Sequence, residues 1–179
     1  MPSYGIHLAV AKKYLDVHPE ENENDFIQGT LDVDLAEDRI ASHYTASTDH
    51  TDLIKFLNGK VDPYSYTSEH TINSSYDRGY FQHLMTDYYF YTEFFDKEWL
   101  SGIDYDEFKK VMYHDYKSVN RHLVQKYNIE YPEVVKKYNI VSEEDSIAIH
   151  NDALDNFIDR VSSIDLDNLY SNFSNQKVK

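Results

Sequence analysis

The stretch "GYFQHLMTDYYFYTEFF", residues 79–95, decides the fold. Its apolar and aromatic residues fall on almost every side of a helical wheel, which predicts a helix over roughly 76–95 enclosed by other helices. Yet this segment carries His83 and Asp87, about 40° apart on one face and surrounded by Tyr76, Tyr80, Phe90 and Phe94. Gly79 falls one turn before His83, so the space beside the imidazole is free of side chain and open to another element or a ligand. Imidazoles and carboxylates buried in such a helix cost free energy unless they pair or bind a metal.

Working outward, the same anomaly recurs. The spacing predicts a first helix over about 4–15, with His7 midway along an apolar arc of Ile6, Val10, Ala11 and Tyr14, opposite Lys12 and Lys13. A long amphipathic helix over about 104–126 places Asp115 and His122 among Phe108, Val111, Met112, Val119 and Leu123, with His114 at the border. Short helices are expected after Asn24 and Asp25, and from an N-cap at Thr51 through "DLIKFL". Residues 59–75, with Pro63, read as a loop able to roof a pocket. Beyond Pro132, "EVVKKY", "EEDSIAIHNDALDNFIDRVSSI" and "LDNLYSNF" continue the helical pattern, with Ser142 and Asp145 forming a capping box, and the final "NQKVK" is expected to fray. His18, His50, His70 and His150 fall in polar surroundings and read as structural or exposed.

With only 5 glycines, 4 prolines and few alternating runs, the chain reads as all-α, and its 179 residues as one domain. There is no cysteine, so any metal must be held by nitrogen and oxygen. The 32 acidic against 17 basic residues give a net charge of −15, which argues against a broad nucleic-acid face. No segment has the form of a secretory signal, and no apolar run reaches the roughly 20 residues of a membrane span. The chain is therefore expected to be cytoplasmic, without stable membrane insertion.

Between the first helix and the central one lies "GTLDVDLAEDRIASHYT", whose Asp32, Asp34 and His43 are weak evidence on spacing alone. Taken in order, however, "GIHLAVAKK", "DFIQGTLDVD", "ASHY" and "GYFQHLMTDYYFY" resemble the zinc-dependent phospholipase C family, all-helical metal-dependent hydrolases related to the S1/P1-type nucleases. The resemblance covers the first half of the chain. It implies that Asp34, His43, His83 and Asp87 hold one metal, that Asp87 bridges to a second bound by His7, and that Asp34 is the general base. Asp32 is the near alternative to Asp34, which follows Val33 where relatives carry proline. Secreted relatives also use an N-terminal tryptophan, a further histidine and an H-x-x-x-E, and none of these is present. Two metals at most are thus expected, with Asp115 or His114 standing in for missing ligands.

Two imidazoles with two carboxylates suit zinc, manganese, iron or nickel better than magnesium or calcium. The leading expectation is a phosphoester hydrolase using a metal-activated water on a small or phospholipid-like substrate, with Tyr80 or a loop tyrosine donating to the phosphate. An HD-type phosphohydrolase acting on nucleotides, built on His114 and Asp115, is the second reading. The third is a non-catalytic helical binding protein whose buried histidines and aspartates pair with each other.

Overall fold

Helix starts in this chain are set by short polar side chains. The computed structural model describes residues 3–176, and every regular element among them is helical. α1 (Tyr4–Val17) begins where Ser3 accepts a hydrogen bond from the Ile6 N–H, and α2 (Glu23–Leu35) where Asn22 accepts from Asp25. Asp38, Asp52, Asp62 and Ser74 cap α3 (Arg39–His43), α4 (Leu53–Asn58), α5 (Pro63–Glu69) and α6 (Ser75–Tyr89) in the same way. Asp96 and Asp104 open α7 (Lys97–Ser101) and α8 (Tyr105–Tyr127). An N-cap carboxylate satisfies an orphan backbone donor and complements the helix dipole, so part of the negative charge is structural. α9 (Asn151–Ser162) and α10 (Leu166–Gln176) complete the described chain, in which no helix is long and apolar enough to cross a membrane.

Several boundaries differ from expectation. Asp52, not Thr51, caps α4, because the Thr51 N–H and hydroxyl both turn back to Asp49. The expected loop over 59–75 contains α5, whose Asp62-Pro63 start is a regular cap followed by proline at the first helical position. The central helix ends in a single π turn, Phe90–Phe94, in which Phe94 stacks on Phe90 with ring centres 5.0 Å apart, both rings edge-on to Phe157. "EVVKKY" is a 3-10 turn, Glu133–Tyr138. Helix does not begin at Glu143: the N–H groups of Ile147, Ala148 and Ile149 donate to the Asp115 carboxylate at 2.7, 2.6 and 2.8 Å, which holds that segment out of helical geometry until Asn151. The Ser142–Asp145 box is not formed, and Ser142 accepts from the Glu144 N–H instead. Of "NQKVK", Asn175 and Gln176 belong to α10, whereas residues 177–179 lie outside the described residues.

The pairing of α2 with α6 is the most extensive between described helices. It depends on two glycines. A Cβ on Gly29 would sit 2.1 Å from the Tyr76 carbonyl oxygen, and one on Gly79 would sit 2.0 Å from that of Phe26. The space beside Gly79 is therefore filled by the α2 backbone rather than left for a ligand. α1 lies against α2, α6, α8 and α9, its Ala9 and Ala11 fully buried.

Candidate metal centre

Four helices deliver five polar side chains to one point in this interior. α1 supplies His7, α2 supplies Asp34, α3 ends on His43, and α6 supplies His83 and Asp87; all five are buried. Because Gly29 and Gly79 let α2 and α6 touch backbone to backbone, the Thr30 carbonyl reaches His83 Nδ1 at 2.7 Å. The Nδ1–H donates there, which turns Nε2 inward as an acceptor or ligand. The α3 turn does the same for His43, whose Nδ1–H donates to the Arg39 carbonyl at 2.7 Å. Tyr44 then stops α3 in the left-handed region, at φ 56°.

The inward atoms are close. His7 Nε2 lies 2.9 Å from Asp87 Oδ1, and His43 Nε2 lies 2.9 Å from Asp34 Oδ1. His83 Nε2 stands 3.3 Å from both Asp34 Oδ2 and Asp87 Oδ2, yet it and Asp34 Oδ2 make no aligned hydrogen bond although both are buried. The His7 and His83 rings stack, 3.6 Å apart and 7° from parallel, and His7 Nδ1 is likewise buried without a partner. Unpartnered buried ring nitrogens and a carboxylate oxygen at the meeting point of three imidazoles and two carboxylates fit a cation better than they fit one another.

Two ligand sets emerge, His7 with His83 and Asp87, and Asp34 with His43 and His83, each with its donor atoms within 4.8 Å of one another. They share His83, whose only inward nitrogen can serve one ion. The donors on hand could thus hold one cation through nitrogen and oxygen, and a second ion would have fewer imidazoles.

Electrostatics follow from this crowding. Burial alone would raise the Asp34 carboxyl, but the His83 charge and the His43 hydrogen bond hold it well below the carboxylate range, and His7 and His83 do the same for Asp87. Burial disfavours a charged His83, but the two carboxylates overcome it and push the ring up to about 10; His43 is raised likewise by its bonds to them. Burial and the stacked His83 keep His7 below its ordinary value. In the metal-free cluster, the proton on His83 holds the place of a cation's charge, and His43 is shifted in the same direction.

The sign of a pH effect follows. His83 has an unfolded value of 6.5 and a folded value raised to about 10, so its contribution to stability is full below pH 6.5 and is lost as pH climbs toward 10. Asp34 and Asp87, lowered from 3.8, contribute above that value and lose their contribution only in acid, and His7 is already neutral in both states above about pH 7.5. Chelator-treated protein should therefore melt at a lower temperature at pH 9.5 than at pH 7.5. Zinc- or manganese-loaded protein should not, because cations replace the protons. Circular dichroism melts at the two values check this, and a chelator-treated melting point that rises with pH would contradict it.

Of the sequence-derived site residues, His7, Asp34, His43, His83 and Asp87 come together and Asp115 does not. Asp115 is fully buried, but its oxygens are taken by three backbone N–H groups and by His114 Nδ1 at 2.8 Å. It is a loop anchor rather than a ligand, and His114 pairs on its other side with Glu144. His122 is half-buried, at the edge of the core, and is held by both oxygens of Asp155, at 2.9 and 3.0 Å. Asp32 accepts from Tyr76 and Gln28, away from the cluster, and Tyr80 donates to the Ser42 carbonyl, so neither the alternative ligand nor the tyrosine donor is free for the role expected of it.

Two residues that sequence reasoning passed over lie at the site. Arg39 sits 3.2 Å from Asp34 Oδ1, and its place four residues before His43 on one turn was the available signal. Lys60 carried none. Two cavities reach the cluster. One, of about 310 Å³, is lined by Asp34, Arg39, Tyr4, Tyr116 and Tyr138; the other, of about 260 Å³, by Arg39, His43, Lys60, Asp87 and Tyr91. No protein-family model, curated protein or solved structure matches this chain.

Proposed function

We propose that this protein is a metal-dependent phosphoester hydrolase. The observation that carries the reading is the convergence of His7, Asp34, His43, His83 and Asp87 in the interior, with inward nitrogens oriented by backbone carbonyls and with unpartnered acceptors, at the end of two cavities. When bound, a zinc or manganese ion supplies Lewis acidity and lowers the pKa of a water toward about 7. The remaining steps belong to the chain. Thr30 and Arg39 hold His83 and His43 in a single tautomer through their carbonyls. Asp34, kept ionised by its imidazole neighbours, can accept a hydrogen bond from an attacking water and orient it, the general-base position that the family resemblance implies. Asp87 links the His7 side of the cluster to the His43 side.

One observation favours the non-catalytic reading: His7–Asp87 and His43–Asp34 already make 2.9 Å contacts that could suffice as structural pairs. The HD-type reading has less support, since Asp115 is saturated by backbone donors. Turnover of 4-nitrophenyl phosphate and bis(4-nitrophenyl) phosphate, by protein reconstituted with zinc or manganese, separates the hydrolase reading from the non-catalytic one. Hydrolysis of either ester that EDTA abolishes is the expected result; metal retained with no turnover of either would leave a metal-binding protein without this activity.

A further inference from the structure

Cations are scarce in a chain of net charge −15, and two of them flank one cavity. Lys60 lies over the rings of Phe56 and Tyr91, its Nζ 5.2 and 5.4 Å from their centres, and among the described residues no carboxylate comes within 4.0 Å of it. Asp87 and Asp34 act on it only at longer range, and burial pulls its ammonium below the usual lysine value. Its backbone is fixed: the Lys60 carbonyl accepts from Thr45 Oγ1 at 2.8 Å, the Gly59 carbonyl from the Ala46 N–H at 2.8 Å, and the Tyr44 carbonyl from the Asp62 N–H at 3.1 Å. Arg39, which lines the same cavity, spends one nitrogen on Asp34 and, among the described residues, pairs with no second carboxylate.

A partly desolvated ammonium without a counter-ion is costly, and holding it in place beside a carboxylate–imidazole cluster is explicable if a ligand brings the negative charge. A planar guanidinium and an ammonium lining one cavity of about 260 Å³ match a group with several acceptor oxygens. We propose that Lys60 and Arg39 form an anion subsite that takes the non-reacting oxygens of a phosphoryl group, and that the substrate is a small phosphate monoester dianion rather than a diester or a phospholipid. Two cations favour the doubly charged monoester over the singly charged diester, and the cavity is smaller than the roughly 300–1,000 Å³ of sites that enclose larger ligands. The assignment to a substrate rests on the hydrolase reading; the subsite itself needs no metal.

The test is calorimetric titration of inorganic phosphate into wild type, Lys60→Met and Lys60→Arg, each with manganese and with EDTA, with metal content measured alongside. Methionine keeps the apolar stem against Phe56 and Tyr91 without the charge. The expected result is phosphate binding weakened by at least about tenfold in Lys60→Met, restored in Lys60→Arg, with metal content unchanged. Wild type that does not bind phosphate, or Lys60→Met within about twofold of wild type, would overturn the proposal. Lysine-dependent phosphate binding by a protein that holds no metal would support the subsite while refuting the hydrolase reading, and stoichiometric metal without phosphate binding would overturn the subsite and leave the hydrolase reading standing.

Discussion

Gly79→Ala should destabilise the protein by about 3 kcal/mol or more and should remove its metal affinity as well. On intrinsic propensity the change looks favourable, since alanine gains up to about 1 kcal/mol over glycine inside a helix. The close approach decides otherwise. The new methyl would meet the Phe26 carbonyl oxygen at 2.0 Å, a rigid backbone atom, so α2 and α6 must separate by more than an ångström. Separation pulls the Thr30 carbonyl from His83 Nδ1 and moves Asp34, on α2, away from His83 and Asp87 on α6. Gly102→Ala is the matched control, because its Cβ would meet nothing closer than the Trp99 carbonyl at 3.6 Å. Urea denaturation of the two variants should show a large loss for the first and little change for the second. Equal stability of Gly79→Ala and wild type would mean that the helices do not touch as described.

The second large effect is expected from His83→Asn. An asparagine amide nitrogen overlies Nδ1 of the imidazole and can keep the bond to the Thr30 carbonyl, while the inward nitrogen is deleted. Both candidate ligand sets contain His83, so neither survives. Metal affinity should fall by at least about 100-fold, beyond what loss of an outer hydrogen-bond partner causes. The melting temperature with saturating metal should drop by roughly 5–10 °C relative to wild type, the size of a stabilisation of about 2.7 kcal/mol at a hundredfold excess over Kd. Chelator-treated wild type should show a similar drop. A variant that folds and still retains metal would exclude His83 as a ligand.

How far the sequence carried this picture depended on range. The long helix over 104–126 and the face shared by His83 and Asp87 are local, and they were legible from spacing. His7 could be placed in the core from its own helix, but its stacking on His83 is a tertiary fact. Spacing did not separate Asp34 from Asp32; the family resemblance favoured Asp34, and the structure puts that residue in the cluster because Asp32 turns to Tyr76. Asp115 shows the limit most clearly. Its inward position was readable, but the donors that satisfy it come from residues 147–149, beyond any helical window. Gly79 was recognised as a gap without anything to say that the Phe26 backbone fills it. Lys60 lay in a stretch read as loop, where a lone cation looks like any solvated one.

A cation is expected where these imidazoles and carboxylates meet, in place of the proton that His83 otherwise carries. Calorimetric titration of zinc into chelator-treated wild type at pH 7, repeated in buffers of different ionisation enthalpy, tests it most directly. The predicted result is saturable binding of at least one ion per chain with net release of protons. No saturable binding, or binding without proton release, would contradict it.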